Sequence, residues 1–196
     1  MKSRELPINA SSNSDHEGRL LQAMATVAAS QGLAATSIAA VVAEAGVSKR
    51  TFYEHFSSKD ACFLALYRAA SGSALRTLRE AVDPAQPWQY QVERALGAYL
   101  SHLAAGPQLV RVLFVEIHQL GELGAAVRRE VMQSLAGFML ETIQDPSALT
   151  PELALAAVGG IHELVLQAIE RGEAAELERL TPGASAVVRL LAGAET

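Results

Sequence analysis

The sequence predicts an all-α protein of about nine helices, with a three-helix, helix-turn-helix region near its start and a larger helical region after it. Three observations carry this reading. Half of the 196 residues are hydrophobic but only 5% are aromatic, and alanine is abundant while β-branched residues are scattered. That composition suits helices and disfavours a β-sandwich. Apolar residues recur at helical spacing along most of the chain, with no convincing strand and no internal repeat. Serine, glycine and proline then fall where such helices would start and stop.

The elements follow in order. Residues 1–14 are polar, lack an apolar signal-peptide core and read as a disordered arm. Leu20, Leu21, Met24, Val27 and Ala28 mark a first helix that Gly32 ends. Ser37 can cap a short second helix bearing Ile38, Val41 and Val42, which stops at Gly46. Ser48 can cap a third, with Phe52 and Phe56 on one side, and Ser58 opens a longer fourth that reaches Ala81. Pro84 and Pro87 interrupt the pattern and mark a boundary. Beyond them, helices are expected over about 88–105, 107–119, 123–143, 151–172 and 183–193, broken at Gly106-Pro107, Gly121, Asp145-Pro146, Thr150-Pro151 and Thr181-Pro182-Gly183. The expected divisions are 1–14, 15–60, a connecting helix over 61–81, and 82–196.

Charge is divided unevenly along the chain. The net charge is −5, yet residues 1–81 hold nine basic against seven acidic side chains, and residues 82–196 hold seven against fourteen. An acidic protein does not coat nucleic acid nonspecifically, although a local basic surface can still read it. Cys62 is the only cysteine, so neither an internal disulfide nor a Cys-rich zinc site can form. Beside Phe63 it reads as a small buried hydrophobe. The uncharged run from Leu20 to Ala43 is broken by Ser30-Gln31-Gly32 and Thr36-Ser37, and no membrane span is expected.

The segment from Ala45 to Asp60 carries the most information. Two short helices meet at a tight turn on Gly46, and Val47 can plug the angle between them, as in a helix-turn-helix. On a helical wheel, Lys49, Arg50 and Tyr53 share one side within about 100°, while Phe52 and Phe56 share another. One side anchors the helix; the other offers cations to phosphates and a guanidinium to guanine edges.

Residues from about Leu20 to Leu66 resemble the DNA-binding domain of the TetR family of transcriptional regulators. The resemblance lies in Thr36-Ser37 before the second helix, Ala45-Gly46-Val47-Ser48 at the turn, Thr51-Phe52-Tyr53 with His55-Phe56, and Ser58-Lys59-Asp60 at the fourth helix. Val42 and Arg50 depart from it: the family usually has alanine at the first position and a small residue at the second. The resemblance implies base contacts from Lys49, Arg50 and Thr51, and phosphate contacts from Tyr53, His55 and Lys59. Thr36 and Ser37 can donate to phosphate, and Ser48 serves first as an N-cap. A local bond of the Thr51 hydroxyl to backbone is the competing role for that residue.

The rest of the chain agrees with the family in length and helicity only. Leu153, Ala157, Ile161, Leu164 and Ala168 form one stripe on the 151–172 helix, widened by Val158, Val165 and Ile169. Gly159-Gly160 sits mid-helix, where each glycine costs about 1 kcal/mol against alanine unless another helix approaches closely or the helix kinks. Val187, Val188, Leu190 and Leu191 make a second apolar helix. The resemblance implies that two such helices per subunit form a four-helix dimer seam, through Leu153, Ala157, Gly160, Ile161, Leu164, Val187 and Leu191. It further implies an effector pocket in the middle helices, for which Trp88, Tyr99, Phe114, Glu116, His118, Phe138, Met139 and His162 are the candidates. The expected partners are therefore double-stranded DNA at a palindromic operator, a second copy of the chain and a small-molecule effector, in the cytoplasm and with no cofactor or metal.

Two other readings stay open. A DNA-binding regulator could use its C-terminal region to bind protein, or nothing. An all-helical enzyme has little support. His162-Glu163 begins like a zinc motif, but Leu166 stands where the second histidine belongs. There is no phosphate loop and no nucleophile elbow, and Glu116 and His118 lie about 200° apart on a helix.

Overall fold

The computed structural model describes residues 15–143 and 149–193, so the expected arm and the break at Asp145-Pro146 lie outside it. Every regular element among the described residues is helical. In chain order they are α1 (Asp15–Ala35), α2 (Ile38–Ala45), α3 (Lys49–His55), α4 (Lys59–Ala81), α5 (Trp88–Ala104) and α6 (Pro107–Glu116). A 3₁₀ segment (Ile117–Leu120), α7 (Gly121–Ile143), α8 (Pro151–Glu170), a second 3₁₀ segment (Ala174–Leu180) and α9 (Thr181–Leu191) complete them. The all-helical expectation holds, and the element ends follow the caps. Ser37, Ser48, Ser58 and Thr150 each accept a hydrogen bond from the backbone N–H three residues on, which satisfies one of the free donors at a helix start.

Two local expectations change, one open alternative is settled and one unassigned stretch is helical. Gly32 interrupts α1 with φ +81° and ψ 161°, but a last turn follows it to Ala35. The expected 107–119 helix tightens into 3₁₀ geometry at Ile117, and α7 starts at Gly121 (φ 56°). Gly159-Gly160 does not kink α8, whose dihedrals stay helical throughout. Residues 174–180, left between helices by the sequence pattern, form the second 3₁₀ segment.

Contacts divide the chain into two compact units. Among the described residues, the first holds 15–73 together with 106–127, and the second holds 74–105 with 128–143 and 149–193. Residues 106–127 therefore group with the N-terminal helices, and α4 and α7 each contribute residues to both units. In the first unit α1 packs against α2, α3 and α6. Its core includes Leu20, Met24, Val41, Phe52, Phe63 and Leu66, all fully buried; burying each large apolar side chain contributes about 1.5–3 kcal/mol. Cys62 is fully buried there too, and burial, reinforced by the charge of Glu17, pushes its thiol up to about 12. It is a core residue with negligible thiolate at neutral pH.

In the second unit α5 packs on the second 3₁₀ segment and α9, and α8 packs on the same two. Leu100, Val165, Leu177 and Val188 are buried at its centre. The α8 helix is long and apolar enough to cross a membrane by composition, but Ala154, Ala157, Val158, Ile161, Val165, Ala168 and Ile169 are buried inside the protein. On α9, the Ser185 hydroxyl is fully buried with no hydrogen-bond partner among the described residues. A lone buried hydroxyl carries a desolvation penalty of about 1–3 kcal/mol. Ser185→Ala is therefore expected to stabilise the second unit by about 1 kcal/mol, seen as a higher urea midpoint with unchanged slope.

Candidate nucleic-acid interface

The α2–turn–α3 unit is built from short-range devices. Gly46 closes α2 in the left-handed region (φ 63°), and its N–H bonds to Ala43 and Val42 carbonyls. Arg19 reaches across from α1 and donates to the carbonyls of Ala45 and Gly46. This places a cation at the negative end of α2. Ser48 then caps α3, accepting from Thr51 N at 3.0 Å. Phe52 is fully buried and Phe56 nearly so, their rings 5.8 Å apart. With α3 anchored on that side, Lys49, Arg50 and Tyr53 face outward. The Arg50 side chain is 90% exposed and Tyr53 is 57% exposed.

The expected contact residues do not all lie free on this surface. Arg50 pairs with Glu54 at 3.1 Å, one turn along α3. An exposed i,i+4 pair is worth about 0.3–0.5 kcal/mol, so an incoming phosphate or base can displace it. Thr51 shares a 3.0 Å hydrogen bond with the Ser48 hydroxyl, the local role that competed with base contact. Ser37 and Ser48 are exposed N-caps, and His55 is half-buried, 6.5 Å from the His16 ring. Thr36 is a correction: it is 3% exposed and donates to the Gly32 carbonyl at 2.7 Å, so it is closed to phosphate. Lys59 is half-buried and donates to the Leu33 carbonyl at 2.8 Å, which holds its ammonium against the end of α1.

Residues 20–66 match the family described as bacterial regulatory proteins, tetR family. The match runs from within α1 into the first turns of α4 and includes the α2–turn–α3 unit. No curated protein matches the sequence. Solved structures do. The fatty acid degradation regulator FadR of Bacillus halodurans superimposes with a TM-score of 0.79 at 18% identity, covering 93% of this chain and 97% of that one. FadR of Bacillus subtilis in complex with stearoyl-CoA gives 0.71 at 20% identity, over 91% and 98%. The multidrug binding protein EbrR complexed with imidazole gives 0.70 at 22% identity, over 91% and 96%. At these identities the likeness establishes the fold.

Outside the tetR-type domain, the described residues of the second unit line, among others, the following two cavities. The inner one, about 60 Å³, is lined by apolar side chains together with Tyr99, Thr142 and His162. The outer one, about 370 Å³, is lined by Arg79, Trp88, Gln91 and Glu141 among others. Phe138 and Thr142 belong to both linings. Of the effector candidates, Tyr99, Phe138, Met139 and His162 line the inner cavity and Trp88 the outer. Phe114, Glu116 and His118 line neither. They belong to the first unit, where the Glu116 carboxylate accepts a hydrogen bond from Leu33 N.

The dimer-seam candidates also divide. Ala157 and Ile161 are buried within the single chain, and Ile161 lines the inner cavity, which removes both from an outward seam. Leu153, Leu164, Val187 and Leu191 are half-buried, and Gly160 is exposed with the Val187 side chain 4.0 Å from where its Cβ would lie.

Arg19 and the Leu33 contact of Glu116 escaped sequence reasoning because both depend on residues far along the chain. Ser48→Ala is expected to lower the local stability of α3 by about 1 kcal/mol, and Arg19→Ala that of the turn by about 1–2 kcal/mol. Native-state hydrogen exchange checks this: the α2 and α3 amides should exchange about fivefold faster or more, with the second unit unaffected.

Proposed function

We propose that this protein is a homodimeric transcriptional repressor that binds a palindromic operator and releases it when a small molecule enters the second unit. The observation that carries the reading is the exposed Lys49, Arg50 and Tyr53 side of a helix whose opposite side is locked into a tetR-type core. Lys49 and Arg50 read bases; Tyr53 and His55, with Ser37 at the start of α2, position the backbone. The solved relatives in complex with stearoyl-CoA and with imidazole support ligand control, and the cavities of the second unit supply a place for it. Such a protein works in the cytoplasm, as a binding protein with no catalytic role. A ligand typically biases a second site by about 1–3 kcal/mol, and DNA must weaken the ligand equally.

The dimer reading is supported by α8 and α9, which pack together and expose Leu155 and Leu190, the latter 66% exposed, beside half-buried Val187 and Leu191. A two-fold dimer would bring the same apolar patch of each copy together. Leu190→Glu is expected to shift the mass in light scattering from dimer to monomer and to weaken operator binding. An unchanged mass would take α9 out of the seam.

Selection from random duplexes tests the DNA reading. Dyad-symmetric half-sites about 34 Å apart or slightly more are expected, with affinity falling steeply with salt. Arg50→Ala should relax preference at one base pair per half-site, at a cost of about 1–3 kcal/mol there. Loss spread equally over all sequences would make Arg50 a phosphate contact.

A further inference from the structure

The two cavities of the second unit differ in chemistry and meet at one aromatic ring. Leu96, Leu135, Met132 and Met139 help to make the inner one a largely apolar chamber. The outer one carries a fixed cation, Arg79, whose guanidinium carbon lies 5.6 Å from the centre of the Phe138 ring. Phe138 belongs to both linings, so that cation stands where the chambers adjoin. Arg79 donates to Glu141 at 2.8 Å. Both side chains are about half exposed, and an ion pair in that setting is held weakly.

We propose that the two cavities form one site for a small amphiphile with a single carboxylate: the apolar body fills the inner chamber, and the carboxylate takes the place of Glu141 on Arg79. This rests on the reading of the second unit as the ligand-binding part. The asymmetry of the pair selects an anion over a cation. Arg79 has a second anchor in the Phe138 ring and stays in place when Glu141 leaves. An incoming cation on Glu141 would instead lie beside the Arg79 charge. Among the described residues of the two linings, Arg79 is the only Arg or Lys. One fixed guanidinium matches one carboxylate, which it can grip through two parallel bonds. At about 60 Å³ the inner chamber is smaller than the roughly 150 Å³ that holds a benzene ring, so a chain as long as that of octanoate enters only as the chamber widens. The body is therefore a short, slender chain, and the flexible Met132 and Met139 side chains can repack around it.

Trp88 is the only tryptophan in the chain and lines the outer chamber, so its fluorescence reports occupancy. The full-length protein is titrated with octanoate, octanol and octyltrimethylammonium, below their aggregation limits. Octanoate is expected to bind at least tenfold more tightly than either of the others. Arg79→Gln should remove at least tenfold of the octanoate affinity while leaving octanol within twofold, Arg79→Lys should recover part of it, and Glu141→Gln should strengthen octanoate several-fold. Equal affinities for octanoate and octanol, no effect of Arg79→Gln, or no octanoate binding would each overturn the proposal. Operator binding measured in parallel separates the two readings. Octanoate that binds as expected but leaves operator affinity unchanged overturns ligand control and keeps the site. Octanol that binds equally well and releases the operator overturns the carboxylate and keeps ligand control.

Discussion

Two charged side chains converge on Leu33, and the first unit is arranged around that meeting. Gly32 turns the backbone out of the helix, which leaves polar groups at the end of α1 without their helical partners. The Glu116 carboxylate, from the end of α6, accepts from Leu33 N, and the Lys59 ammonium, from the first residue of α4, donates to Leu33 O at 2.8 Å. Thr36 completes the set with its hydroxyl on Gly32 O and its N–H on Leu33 O. Hydrogen bonds to charged groups contribute about 1.5–3 kcal/mol each when they satisfy buried polar atoms. They tie α1 to α4 and α6 at one point, and that point precedes Ser37, where α2 starts. A Cβ at Gly32 would lie 3.1 Å from the Glu116 carboxylate and would need a backbone conformation that L-residues rarely adopt. Only glycine leaves the clamp undisturbed.

The helices that follow need such an anchor because they are short. Eight and seven residues are far below what holds an isolated helix in water. Capping serines, the left-handed Gly46, the Arg19 bridge and the burial of Phe52 supply the missing stability. The side chains on the outer side of α3 are held loosely by contrast. Arg50 keeps a single exposed partner, Glu54, on its own helix. A rigid backbone with weakly committed side chains suits a surface that must meet a partner without losing much ordering entropy.

What the sequence made legible was local. Serine caps, the Gly46 turn and the phenylalanine side of α3 depend on residues within one or two turns, and they appear as read. Lys59 was a contact candidate through the family resemblance, Thr36 as a hydroxyl at a helix start, and Glu116 as a polar anchor of the expected pocket. Tertiary structure took them elsewhere, Lys59 to a carbonyl 26 positions back and Glu116 to an amide 83 positions back. No spacing rule reaches that far. Helix α8 shows a second limit. It is apolar on more than one side, so the pattern identified a buried helix but not which stripe faced its own chain. Ile161 turned inward to the cavity, while Leu155, absent from the expected seam, is 42% exposed. Phe138, Met139 and His162 were found because the family resemblance pointed to the middle helices, and aromatic, sulfur and imidazole groups there suit a cavity lining.

Lys59 and Arg79 stand on the same helix, α4. On the proposed reading, one end of that helix holds Leu33 and the other meets a ligand. The energies limit how these ends communicate. A ligand that delivers about 1–3 kcal/mol of coupling matches one charged hydrogen bond at Leu33 but not the combined hold of Lys59, Glu116 and Thr36 on α1. On that proposed reading, release of DNA by unfolding the first unit is beyond the ligand's reach. In the proposed homodimer, the change left to such a ligand is a small displacement of α4 that leaves every cap in place and alters how the two copies of α3 would fit DNA grooves. Because each recognition helix is short and the groove fixes their separation, a shift of that size suffices to forfeit contacts in one half-site.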